Sequence, residues 1–175
     1  KEELAQLSNL TAWQILKYSG ISIFKFLLLI RKLKAELRSE IPNIQLFPGI
    51  KEVLLELKNS GFQLGIITSN SRENVLTSLD KNGLQDTFDF IYSGTTFGKH
   101  KVINRWLKKE NINPEQVVYV GDEIRDIDAA KKTRIKVIAV GWGFHSQSAL
   151  AAHNPDFLIE KPQELIGVIH SLNEL

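Results

Sequence analysis

Val117-Val118-Tyr119-Val120-Gly121-Asp122-Glu123-Ile124-Arg125-Asp126-Ile127-Asp128-Ala129-Ala130 is the stretch whose reading decides the fold. Four β-favouring residues, Val117–Val120, run into a glycine suited to a tight turn, and an acidic residue follows at once. The pattern predicts a buried strand and, beyond the turn, a helix around Ile127–Thr133. Asp122 then stands at the strand's tip, with Asp126 four residues later. Oxygen donors of this kind suit Mg²⁺, a hard cation that keeps several waters and shares its shell with substrate phosphate. Strand-Gly-Asp is also common in ordinary turns, so the company this segment keeps matters.

Downstream, Val137–Val140 reads as another strand, Phe157–Ile159 as a small edge strand and Glu164–Leu172 as a closing helix. Upstream, Ile50–Ser60 reads as a helix closed by Gly61, and Phe62–Thr68 as a buried strand. Asn70 with Glu73 resembles a capping box for a helix running to about Asn82 and closed by Gly83. Phe88–Ser93 is a further short strand and Val102–Glu110 a further helix. Strands alternating with helices of this length predict an α/β fold built on a doubly wound parallel sheet. Pro42 and Pro48-Gly49 interrupt a different rhythm, in which Phe26, Ile30, Leu33 and Leu37 recur at helical spacing. Residues 1–46 therefore read as a small helical unit and 47–175 as the α/β core. Ile23–Ile30 is apolar nearly all round, which predicts a helix covered on more than one side.

In an open parallel sheet, ligands bind beyond the carboxyl ends of the strands. Two more such ends carry polar residues. Thr68-Ser69-Asn70-Ser71 offers hydroxyls and a helix N-terminus to anionic oxygens, or else a plain helix cap. Gly98-Lys99-His100-Lys101 places cations at a helix start, where an anion would relieve their conflict with the helix dipole; a solvated charge run is the plainer alternative.

Composition narrows the partners. The net charge is +2, with both signs mixed along the 175 residues, so no broad basic surface announces a nucleic acid. The absence of cysteine excludes disulfides and thiolate chemistry and fits a cytoplasmic protein. The apolar run Ile21–Ile30, broken by Lys25, is too short to span a bilayer. There is no Met, so the chain as written contains no initiating residue, and a segment upstream of Lys1 is expected.

The ordered set Pro48-Gly49, Gly65-Ile66-Ile67-Thr68-Ser69-Asn70, Gly98-Lys99 and Tyr119–Ala130 resembles the haloacid dehalogenase superfamily, in its phosphoglycolate-phosphatase-like branch. Trp142-Gly143-Phe144 and Pro155-Asp156-Phe157 are similar to that branch as well. The resemblance implies a Mg²⁺-dependent phosphatase acting on a small phosphorylated metabolite, monomeric or homodimeric, with residues 1–46 as the cap. Thr68 would hydrogen-bond the transferring phosphoryl group, with Ser69 and Asn70 adding contacts. Lys99 would neutralise charge, with Lys101 as a rival. Asp122 would be a metal ligand, and Asp126 would assist through water or orient the lysine.

The family's Asp-x-Asp motif, which carries the nucleophile, is absent. Its strand would lie between the strands ending at Thr68 and Asp122, so those two are expected not to pair directly. An inactive binding module of the same fold is the alternative that this absence keeps open.

Overall fold

The computed structural model describes residues 20–29, 32, 44–94 and 98–173. The chain divides into two compact units, Lys1–Gln45 and Leu46–Leu175. Within the first unit residues 23–29 are helical. Ile23, Phe24, Leu27, Leu28 and Leu29 are exposed there, against the expectation of a covered helix. Apolar sequence creates a demand for a covering surface without supplying one. The helical repeat at Ile30, Leu33 and Leu37 falls outside the described residues.

The second unit runs α1 (Ile50–Asn59), β1 (Gly65–Ile67), α2 (Arg72–Lys81), β2 (Phe90–Tyr92), α3 (Lys99–Glu110), a 3-10 turn (Pro114–Gln116), β3 (Val118–Gly121), α4 (Ile124–Thr133), β4 (Lys136–Val140), α5 (Gln147–Ala152), β5 (Phe157–Ile159) and α6 (Glu164–Asn173). All strand pairings are parallel. They form two ladders, β1-β2 and β3-β4-β5, and β1 and β3 do not pair with each other.

β4 shows why helices must cover both faces. Strand side chains alternate, and here both sets are apolar and buried. Ile138 and Val140 pack with Val53 and Leu57 of α1 and Leu165 of α6. Val137 and Ala139 pack with Ile127 and Ala130 of α4 and Leu150 of α5. Ile103 and Leu107 of α3 join Ala129 and Ile135 in a third cluster, which ties α3 to α4. The sheet is thus doubly wound, as the alternation of elements implied.

Local expectations change at several points; β2 is shorter than Phe88–Ser93 and α4 begins at Ile124 instead of near Ile127. β1 begins later than the expected Phe62 because the Leu64 N–H is donated to the Asp89 carboxylate (2.8 Å) and that of Phe62 to Leu57 O (3.2 Å). The cap of α2 is Ser71, whose hydroxyl accepts from the Asn74 N–H, rather than Asn70. Asn70 gives its own N–H to Thr68 Oγ1 (3.1 Å), which delays the helix by one residue. α3 starts at Lys99 because Gly98, at φ 84°, turns the chain directly into it, a conformation costly for any residue with a Cβ. α5 was not anticipated; Ser146 caps it by accepting from the Ala149 N–H (3.3 Å).

Candidate active site

Thr68, Asp122 and the Gly141–Ser146 loop each follow the carboxyl end of a parallel strand, and Lys99 opens the helix after β2. Parallel order puts β3, β4 and β5 in register, so Gly121 lies beside Ala139 and the residues after both strands emerge together.

The centre of the site is Asp126. α4 begins with the Asp126 side chain reaching back, as Oδ2 accepts the Glu123 N–H at 3.3 Å. Its other oxygen, Oδ1, pairs with Lys99 Nζ and takes a hydrogen bond from Tyr119 Oη at 3.4 Å. Asp126 is 3% exposed and Lys99 9%, so the pair is withdrawn from water, while Lys101 is exposed. Removing one partner from such a pair leaves an uncompensated buried charge, at a cost of about 3–5 kcal/mol. Burial pushes the Asp126 carboxyl up, against the pull of the Lys99 ammonium. Burial, reinforced by Asp126, also raises the Tyr119 phenol, which keeps it a neutral donor. Gly121 is required by this packing, because a Cβ there would overlap Asp126.

Asp122 is held from the neighbouring loop. Its Oδ2 accepts the Phe144 N–H at 2.7 Å and its backbone carbonyl accepts the His145 N–H at 3.2 Å. A Cβ on Gly143 would overlap the Asp122 side chain. Asp122, Glu123 and Asp126 each bring a carboxylate oxygen within 4.8 Å of the others. Glu123 is engaged by Arg125 (2.5 Å) and Asp126 by Lys99, which makes Asp122 the carboxylate best placed to ligate. A set of hard oxygen donors next to one lysine fits Mg²⁺ and a phosphate group together.

The structure therefore brings Lys99, Asp122 and Asp126 into one cluster. Thr68, Ser69 and Asn70 sit at the tip of β1, in the other ladder; the Thr68 N–H continues that ladder to Tyr92 O (2.9 Å). Tyr119, Gly143 and His145 were not singled out as site residues from sequence. The strand-end rule, applied after β4 as it was after β3, would have flagged the loop holding the last two.

A doubly wound parallel sheet with a lysine-carboxylate cluster at its carboxyl edge defines an α/β core with charged groups where such sheets bind their ligands. Residues 1–140 match the model of the haloacid dehalogenase-like hydrolases, and the chain belongs to that family. A phosphoglycolate phosphatase of Synechococcus elongatus is 33% identical over 173 residues, covering 98% of this chain and 82% of that protein. A pyrophosphatase, PpaX, of Bacillus pumilus is 30% identical over 127 residues; the match takes in 70% of this chain and 59% of that protein. Among solved structures, a haloacid dehalogenase-like hydrolase of Streptococcus pneumoniae superposes with a TM-score of 0.76 at 27% identity, over 87% of this chain and 73% of the other. Among the described residues no helix is long and apolar enough to cross a membrane.

Proposed function

We propose that this chain forms the cap and most of the core of a Mg²⁺-dependent phosphatase, which hydrolyses a small phosphate monoester through an aspartyl-phosphate. The observation that carries this reading is the buried Lys99–Asp126 pair beside Asp122 at the carboxyl edge of the sheet. The nucleophilic aspartate belongs to a segment upstream of Lys1. The separation of β1-β2 from β3-β4-β5 supports this, since a strand between β1 and β3 would join the two ladders into one sheet.

In the reaction the aspartate oxygen attacks phosphorus, the ester P–O bond breaks, and the leaving oxygen takes a proton from the second aspartate of the Asp-x-Asp motif, which the hydrolytic water later restores. Water then cleaves the acyl phosphate, returning the carboxylate and inorganic phosphate. Thr68, with Ser69 and Asn70, orients the phosphoryl oxygens. Lys99, fixed by Asp126, offsets their charge from a site with little water, where a positioned cation contributes several kcal/mol. Asp122 holds Mg²⁺, with Asp126 adjacent; the metal, when bound, supplies further neutralisation of the phosphoryl group. Residues 1–46 form the cap that selects substrate.

The substrate is proposed from the relatives, among which phosphoglycolate phosphatases and pyrophosphatases both occur. Phosphate release by the full-length protein from phosphoglycolate, pyrophosphate and an aryl phosphate tests the reading. Phosphoglycolate should be hydrolysed with the highest kcat/KM, and EDTA should abolish turnover. A metal-independent activity, or none on any ester, would sink it.

A further inference from the structure

We infer that the Gly143-Phe144 peptide is a positioning clamp for Asp122, fixing one carboxylate oxygen so that the other faces the cation. This deepens, and rests on, the phosphatase reading above. Three observations on consecutive residues carry it. The Phe144 N–H is donated to Asp122 Oδ2 at 2.7 Å, the short distance expected when the acceptor is charged. The His145 N–H binds the Asp122 carbonyl at 3.2 Å, so side chain and backbone of Asp122 are held by one loop. Gly143 lacks the Cβ that would overlap Asp122, and its φ is not in the left-handed region, so close approach is what its glycine provides.

The His145 side chain is 4% exposed, with neither ring nitrogen hydrogen-bonded among the described residues, and its ring meets that of Phe144 edge-on at a centroid distance of 4.9 Å. A backbone donor suits this role because it carries no charge that would compete with the cation. It also cannot rotate away. Groups that orient a ligating carboxylate in this manner typically change metal affinity 10- to 100-fold when lost. Gly141 provides an internal control: it lies in the same loop, but a Cβ there would meet the flexible Gln147 side chain instead of Asp122.

The test uses the full-length protein and two readouts. In ¹⁵N–¹H NMR spectra the Phe144 amide should resonate downfield and shift strongly in Asp122→Ala, with nearby amides such as that of Gly141 little changed. Mn²⁺ titration should then show about 10-fold weaker binding in Gly143→Ala and unchanged binding in Gly141→Ala. A Phe144 amide indifferent to Asp122→Ala would overturn the clamp whatever the enzyme's activity. Equal Mn²⁺ affinity in Gly143→Ala and wild type would overturn its role in metal binding. A wild-type protein that neither binds Mn²⁺ nor releases phosphate, with the Phe144 shift intact, would instead overturn the phosphatase reading and this clamp's metal function with it.

Discussion

At the residue scale, Asp122 and Glu123 are chemically near-equivalent neighbours with different surroundings. Asp122 is seated by backbone donors from the β4 loop, whereas Glu123 is spent on Arg125. Asp122→Asn should lower kcat by at least about 10²-fold and weaken Mg²⁺ activation, on the scale of losing an electrostatic group of the transition state. Glu123→Gln should do much less, and steady-state kinetics against Mg²⁺ concentration will separate the two. Lys99 and Lys101 differ in the same way. Lys99→Met should destabilise the fold by about 3–5 kcal/mol in urea denaturation, because Asp126 is left buried and unpaired, while Lys101→Met should leave stability within about 0.5 kcal/mol. Lys99→Ala should also reduce activity more than Lys101→Ala. In the sequence, Asp122 and Asp126 are legible as candidate oxygen donors from residue type and strand position, whereas Lys99 joins them through the family resemblance, its segment alone reading equally as a solvated charge run. Choosing between Lys99 and Lys101 was not possible there, since burial of one and exposure of the other depends on where α3 begins. Gly143 was legible only as part of a motif, because its role arises from close approach to a residue 21 positions away.

At the scale of elements, the same limits explain what the pattern reading got right. β4 and β5 could be found almost to the residue, as continuous apolar runs with both faces covered. β1 was overextended because a side chain, Asp89, takes the N–H of Leu64 that the apolar run assigned to the ladder. Asp89 also receives Lys58 of α1 at 2.7 Å, so one carboxylate fastens the end of that helix to the entry of β1. The Lys58 ammonium and the Leu64 N–H hold its pKa below the ordinary carboxylate value. Asp89 therefore contributes stability that is present above its unfolded pKa of about 3.9 and is lost as pH falls through the lower folded value. Thermal melts should show Asp89→Asn less stable than wild type at pH 7, with the gap closing below about pH 4. A gap that stays constant down to pH 2 would mean that the carboxylate charge is not what matters.

At the scale of the molecule, the doubly wound architecture followed from the order of elements, whereas the expectation that β1 and β3 do not pair directly came from the family resemblance. β4, with neighbours on both sides, has four buried residues in a row; β1 and β3 have none in that class, and Val120 is 41% exposed. Strands near the middle of a parallel sheet are ordinarily covered on both faces and paired on both edges. The half-buried state of β1 and β3 supports the proposal that a further strand lies between them, carrying the nucleophile to the point where Thr68, Lys99 and Asp122 are proposed to act. The most direct measurement is phosphate release, with Mg²⁺, by the chain of residues 1–175 and by the same chain extended through its upstream sequence. The expected result is turnover by the extended protein, abolished by EDTA, and none by residues 1–175 even when folded by circular dichroism. Metal-dependent turnover by residues 1–175 alone would contradict the assignment of the nucleophile and, with it, the proposed mechanism.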